Sequence, residues 1–148
     1  MKTTMKTTSL ATLILFVLVS SVFAAERKYS YSQLLDAIRA VESQGQPNNG
    51  IGAKGDGGAA LGPFQIHKVY WKDATDHDPR IGGTYEDCKG YEYSLKVVRA
   101  YFDRYCRDAV SSGNWEKVSR IHNGGPNGYT KQSTKAYWLR VKAKLEGK

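Results

Sequence analysis

Apolar residues recur at the three- and four-residue spacing of an amphipathic helix in five stretches of this chain. The pattern predicts helices over about residues 32–43, 63–74, 91–110 and 133–145, with a fifth, short helix capped by Asn114. The 91–110 stretch has the longest apolar stripe, so we expect it to be the central helix of the core. Ser30 and Gln33 have the spacing of a capping box, which marks the start of the first helix.

The segment from Pro47 to Gly62 breaks this helical pattern because it is dense in glycine. It does not have the pattern of a conventional strand, but glycine supplies the positive φ angles that tight hairpin turns require. Residues 75–90 are rich in Asp, Gly and Pro and predict a surface connection. The expected fold is therefore a predominantly helical α+β domain with a small glycine-rich β-hairpin or loop.

The N-terminus has the pattern of a secretory signal peptide. Lys2 and Lys6 precede an apolar run over residues 10–19, and the small residue Ala24 ends the segment. The run is too short to cross a bilayer comfortably, although an uncleaved membrane anchor is the alternative. We expect residues 1–24 to be removed, leaving a secreted single domain over residues 25–148 with no membrane insertion.

The chain is basic, with a formal net charge of +8 at pH 7. In a secreted protein this favours an anionic partner such as a bacterial envelope or an acidic polysaccharide, although solubility alone is a sufficient reason for the charge. The sequence contains no zinc finger, no RNP-like aromatic run and no long basic block, so we expect no nucleic-acid partner. His67 and His77 have no metal-binding spacing, and neither a metal nor another cofactor is expected.

Two cysteines, Cys88 and Cys106, could form a disulfide. A helix running from Tyr91 to Cys106 would hold its ends about 22 Å apart at about 1.5 Å per residue. The approach from Cys88 spans at most about 10 Å, so closure would fail. A helix starting nearer Ser94 would leave enough slack, and the pairing stays open at this point.

Two acidic residues, Glu42 and Asp56, are the candidate catalytic groups. Glu42 lies at the margin of the apolar face of the first helix, where partial desolvation favours a protonated carboxyl suited to general acid catalysis. Asp56 lies between two glycines, which allow a ligand to approach the backbone closely. The alternatives are a surface glutamate at a helix end and an aspartate that caps its own turn.

Several motifs along the chain resemble the invertebrate-type lysozymes, the destabilase family. They are Val41-Glu42-Ser43, Asp56, Gly62-Pro63-Phe64-Gln65-Ile66, Tyr70-Trp71, the block Ile121-His122-Asn123-Gly124-Gly125-Pro126-Asn127-Gly128, and Ala136-Tyr137-Trp138. The order is that of the family over about residues 34–141, and the His-Asn-Gly-Gly-Pro block is the most specific part. The resemblance implies a lysozyme-like fold and hydrolysis of the β-1,4 bond between N-acetylmuramic acid and N-acetylglucosamine in peptidoglycan.

The resemblance also implies roles for single residues. Glu42 matches the family's general acid, and Asp56 matches its nucleophile or electrostatic stabiliser. A retaining mechanism is expected, with the two carboxyl groups roughly 5–5.5 Å apart. The sugar cleft is expected to be lined by Gln65, Tyr70, Trp71, His122 and Asn123. Their alternative role is packing and loop fixation, and this alternative is strongest for Trp71.

The chain departs from the family in two respects. It has two cysteines where the family is usually rich in them, so the placement of Asp56 rests on order and approximate spacing. Ala59 and His67 stand where some members, credited with isopeptidase activity, have a serine and a lysine, so no such activity is expected. A lytic transglycosylase, a non-catalytic peptidoglycan- or chitin-binding protein and a membrane-permeabilising basic protein are the rival functions. Oligomeric state and the choice between defence and digestion stay open.

Overall fold

The computed structural model describes residues 28–44 and 46–148, so the predicted signal peptide lies outside the described residues. Within these ranges the fold consists of five α-helices and one small sheet. The helices are α1 (Tyr31–Glu42), α2 (Lys68–His77), α3 (Tyr91–Ser112), α4 (Trp115–Gly124) and α5 (Lys135–Leu145). None of these helices combines the length and the apolarity that crossing a membrane requires.

The first helix starts and ends where its sequence predicts. The backbone N–H of Gln33 donates to Ser30 Oγ (3.2 Å), and the N–H of Ser30 donates to Gln33 Oε1 (2.7 Å), which completes the capping box. One face of α1 is buried in the core through Leu34, Leu35, Ala37 and Ile38. The helix ends at Glu42, so its carboxyl group is presented at the edge of the core.

The glycine-rich segment supplies the first two strands of a three-stranded antiparallel sheet in the order β1-β2-β3. The strands are β1 (Lys54–Gly55), β2 (Ala60–Leu61) and β3 (Ile66–His67). A 3-10 turn, Asp56–Gly58, connects β1 to β2, and the register pairs Ala60 with His67. The expectation of a predominantly helical α+β fold with a small glycine-rich β element is confirmed.

The helix expected over residues 63–74 is wrong at its start. Pro63 and Phe64 lie in the turn from β2 to β3, and α2 begins only at Lys68. Gly62 and Gln65 both have a positive φ, which no α-helix allows. A Cβ on Gly62 would overlap the carbonyl oxygen of Cys88, so a contact distant in the sequence fixes this turn.

The connection over residues 75–90 is more ordered than a plain surface loop. It contains two 3-10 turns, Pro79–Ile81 and Tyr85–Lys89, and the second carries the buried Cys88. Both cysteines of the chain are buried free thiols. Helix α3 begins at Tyr91 rather than near Ser94, so the helix separates Cys88 from Cys106 by more than a disulfide can span.

Helix α3 is the central element, since the helix before it, α2, and the helix after it, α4, both pack on it. Its buried side chains include Val97, Val98, Tyr101 and Phe102. Asn114 caps α4 as predicted, with its side-chain oxygen accepting from the N–H of Lys117 (3.1 Å). The end of α1, the sheet, the start of α2 and the end of α4 border one cleft.

Candidate active site

This cleft has a volume of about 320 Å³ and contains both candidate acids. It is lined by Glu42, Asp56, Ala60, Gln65, His67, Tyr70, His122 and Asn123. All the site residues expected from the sequence therefore meet in one cleft, with the exception of Trp71.

Glu42 is the half-buried acid of the cleft, with its side chain 19% exposed. The hydroxyl of Tyr137 donates to Glu42 Oε1 (2.7 Å), and His122 Nε2 lies 3.5 Å from the same oxygen. Glu42 is the last residue of α1, and its carboxyl group is held at Oε1 by side chains from α5 and α4.

His122 connects Glu42 to a buried tyrosine. Its Nδ1 lies 3.1 Å from the hydroxyl oxygen of Tyr70, whose ring stacks on that of Tyr101 at a centroid distance of 3.5 Å. Burial raises the pKa of both Tyr70 and Tyr137 well above the usual value, so both keep their hydroxyl protons. When Tyr70 donates to Nδ1, the proton of the neutral imidazole is on Nε2, the nitrogen that faces Glu42.

Asp56 has contrasting surroundings. Its side chain is 70% exposed, and its backbone has a φ of 49°, in the left-handed region. His67 Nε2 lies 2.9 Å from Asp56 Oδ2, and the His67 side chain is itself 52% exposed. The cleft thus holds one half-buried carboxyl with a tyrosine donor and one exposed carboxyl paired with a histidine.

Gln65 and Asn123 supply amide groups to the cleft, from the sheet turn and from α4. The Gln65 side-chain amide donates to the carbonyl of Gly62 (2.9 Å), which holds it across its own turn. A Cβ on Gly55 would overlap Gln65 Oε1, so the glycine makes room for this side chain. Such amides can donate to and accept from sugar hydroxyls.

The loop that follows α4 is anchored by a buried arginine. The Arg120 side chain donates to Thr134 Oγ1 (2.9 Å), to the Lys131 carbonyl (3.0 Å) and to Glu116 Oε1 (2.8 Å). A Cβ on Gly128 would overlap the Arg120 carbonyl oxygen, so this loop passes directly over the backbone of α4. These contacts fix the end of α4, which carries His122 and Asn123.

Trp71 lies outside the cleft lining. Its indole N–H donates to the hydroxyl of Tyr93 (2.9 Å), and its ring packs at a tilt against Tyr85. Two side chains at the acids were missed by the sequence reasoning, His67 beside Asp56 and Tyr137 beside Glu42. Tyr137 did appear in the Ala136-Tyr137-Trp138 motif, but no role in the site was assigned to it.

A larger groove of about 700 Å³ runs along α3 and also contains two carboxylates, Asp78 and Asp103. Arg80 donates twice to Asp78, and Arg107 and His77 bind Asp103. The arginine hydrogen bonds lower the pKa of both carboxyls, so neither serves as a proton donor. The smaller cleft holds both acids expected from the sequence and is therefore the candidate active site. In the part of the chain that the structure describes, no cluster of three or more His, Cys, Asp or Glu residues is placed to hold a metal ion.

The chain is similar to known proteins over most of its length. The sequence profile of the Destabilase family matches residues 32–144. The lysozyme of Ostrea edulis is 40% identical over 94 residues, covering 62% of this chain and 66% of that protein. Lysozyme 1 of Crassostrea virginica is 38% identical over 113 residues, covering 75% of this chain and 58% of that protein. The chain thus spans less than two thirds of the length of these two relatives.

A solved structure shows the same fold. The lysozyme of Meretrix lusoria, in complex with PliI of Aeromonas hydrophila, superposes with a TM-score of 0.60 at 31% sequence identity. The superposition covers 76% of this chain and 88% of that one. The lysozyme-like fold expected from the sequence is therefore confirmed, and the chain belongs to the destabilase family of invertebrate-type lysozymes.

Proposed function

We propose that the protein is a secreted lysozyme that hydrolyses the β-1,4 bond between N-acetylmuramic acid and N-acetylglucosamine in bacterial peptidoglycan. The observation that carries the proposal is the pair of carboxyl groups, Glu42 and Asp56, in one cleft with contrasting surroundings. Cleavage of a glycosidic bond needs one protonated acid and one ionised carboxylate. The lysozyme names of the relatives support the same activity.

In this mechanism Glu42 protonates the oxygen of the leaving sugar. The Tyr137 hydroxyl and His122 approach Oε1, which leaves Oε2 to carry and transfer the proton. The half-buried position removes competing water from the proton transfer.

Asp56 then stabilises the positive charge that develops at the anomeric carbon, or bonds to that carbon as a nucleophile. Its exposed position leaves the carboxylate hydrated, and the His67 imidazole lies beside it, 2.9 Å from Oδ2. Glu42 takes a proton from the incoming water, and the product retains its anomeric configuration.

The polar lining of the cleft would orient the sugars. We assign sugar contacts to Gln65, Tyr70, His122 and Asn123, which surround the two acids. Trp71, which binds Tyr93 and packs on Tyr85, is assigned to packing. The biological setting we propose is attack on bacterial walls outside the cell, in defence or digestion.

The test uses the variants Glu42→Gln and Asp56→Asn with suspended bacterial walls. General acid catalysis contributes about 10²- to 10⁴-fold, so Glu42→Gln should lower the rate of clearing by at least about 100-fold. Asp56→Asn should also be strongly impaired, and circular dichroism should show both variants folded. Two variants that clear walls as fast as the parent would refute the two-carboxylate mechanism.

Mass spectrometry of the digested walls separates the rival activities. A hydrolase leaves reducing N-acetylmuramic acid ends, which is the expected result. Anhydro-muramic ends would identify a lytic transglycosylase, and a parent that binds walls without cutting them would be a binding protein. Clearing that survives in Glu42→Gln without sugar products would indicate membrane permeabilisation.

A further inference from the structure

We propose that His67 is a positioning residue that holds the Asp56 carboxylate in its working orientation. This inference rests on the proposed lysozyme activity, and it names the group on which the nucleophile or stabiliser depends. The contact that motivates it is the 2.9 Å approach of His67 Nε2 to Asp56 Oδ2, inside the cleft that also holds Glu42.

Asp56 needs such a partner because its own segment gives it little support. The residue lies in a short 3-10 turn with a left-handed backbone, and it is followed by Gly57 and Gly58. A Cβ added to either glycine would meet nothing within 4 Å, so this side of the turn faces open space. A carboxylate on such a turn would sample many orientations unless a side chain from a firmer element held it.

His67 stands on a firmer element. It belongs to β3, where its backbone is in register with Ala60 of β2. The hydroxyl of Tyr85 donates to the carbonyls of Ile66 (2.8 Å) and Ala59 (2.7 Å), which ties β3 to the residue that follows the Asp56 turn. The His67 imidazole therefore contacts Asp56 from a backbone that the Tyr85 hydroxyl holds at both Ile66 and Ala59.

In this geometry the two carboxylate oxygens of Asp56 have different roles. His67 donates to Oδ2, and Oδ1 is left for the anomeric carbon. Because both side chains are largely exposed, the pair adds little to the stability of the fold. Its loss should therefore change kcat rather than folding, since orientation errors of a reacting group are costly in rate.

The experiment compares His67→Ala, His67→Gln and the matched control His77→Ala on purified wall substrate. The His77–Asp103 pair has a similar distance, 2.8 Å, but lies in the groove along α3. We expect His67→Ala to lower kcat by roughly 10-fold with KM little changed. His67→Gln should recover most of that loss, because its amide N–H can replace the Nε2 donor, and His77→Ala should match the parent.

A double-mutant cycle with Asp56→Asn completes the test. In the Asp56→Asn background the additional His67→Ala change should lower the residual rate by less than about 2-fold, because the two groups act as one unit. The proposal is overturned if His67→Ala retains the parental kcat, if Gln fails to restore it, or if the loss persists in the Asp56→Asn background. A parent enzyme that releases no reducing sugar ends would instead refute the proposed function, and this inference with it.

Discussion

At the scale of single residues, Tyr137 stands out because it donates to the proposed general acid from 95 positions away in the sequence. Burial raises its pKa well above the usual value, and the nearby charge of Glu42 adds to the rise. The phenol therefore keeps its proton and acts as a permanent hydrogen-bond donor to Glu42 Oε1.

Removal of this donor should slow the reaction without unfolding the protein. In Tyr137→Phe, Glu42 Oε1 loses its hydrogen bond to the Tyr137 hydroxyl, so the carboxyl group is held less firmly for proton transfer. We expect kcat to fall by roughly 10-fold, because orientation errors of a reacting group are costly in rate. Initial rates on purified walls measure it. The exposed Tyr129→Phe is the control, and a Tyr137→Phe variant with the parental kcat contradicts the assignment.

The sequence predicts the two acids but not the residues that act on them. Glu42 could be placed because local signals, the capping box at the start of α1 and the apolar stripe along it, predict the helix whose last turn carries the residue. Asp56 could be placed only by order, because its left-handed backbone depends on the sheet around it. The contacts of Tyr137 and His67 with the two acids were not predicted, because they arise from packing between separate segments, for which the sequence has no periodic signal.

At the scale of elements, the conformation of the loop from α4 to α5 is fixed by defined side-chain contacts. The buried Arg120 of α4 binds Thr134 and the Lys131 carbonyl of this loop, and the Tyr129 ring lies 4.8 Å from the guanidinium. Gly128 lets this loop pass over the α4 backbone without a clash. The loop therefore acts as a brace behind His122, and its sequence is constrained although it contains only short 3-10 turns.

A single methyl group should disturb this brace. In Gly128→Ala the new Cβ overlaps the Arg120 carbonyl, and the backbone on both sides must shift. We expect the free energy of unfolding to fall by about 2–3 kcal/mol, at the upper end for overpacking. Gly90→Ala is the control, since its Cβ would meet no atom closer than 3.4 Å and its φ is negative. Chemical denaturation of both variants measures the difference, and equal midpoints would contradict the brace.

Helix prediction succeeded or failed according to the range of the deciding contact. Helices α1, α3 and α5 follow their apolar stripes, and α4 follows its Asn114 cap, because these signals are local. The start of α2 was placed too early because Pro63 and Phe64 suit a helix locally. What prevents a helix there is the approach of Gly62 to the Cys88 carbonyl, a contact 26 residues apart that no local pattern reveals.

At the scale of the whole molecule, one continuous core holds the described chain together. It combines aliphatic residues of α1 and α3 with aromatic ones from every helix after α1, including Tyr70, Tyr101, Trp115 and Tyr137. Cys88 and Cys106 belong to this core as free thiols, and burial raises the pKa of each to about 12. Packing of these aliphatic and aromatic side chains, rather than covalent cross-links, holds the described chain together.

The thiols provide a direct measurement of that core. At pH 8 a buried thiol with a pKa near 12 is almost entirely protonated and shielded, so the native protein should react very slowly with a thiol-specific reagent. After unfolding in guanidinium chloride without reductant, both cysteines should react. A reductant should leave the thermal midpoint unchanged. Failure of the unfolded chain to react would indicate a Cys88–Cys106 disulfide instead.

The free, buried cysteines also have a consequence for how the chain reaches its native state. A secreted domain that depends on disulfides folds only where an oxidant and an isomerase are at hand, and reshuffling of its bridges slows maturation. The core of this protein is complete without that chemistry. Residues 25–148 should therefore fold to the native state in a reducing cytosol, without oxidative refolding. Any disulfide that forms would be oxidative damage and not a step in folding.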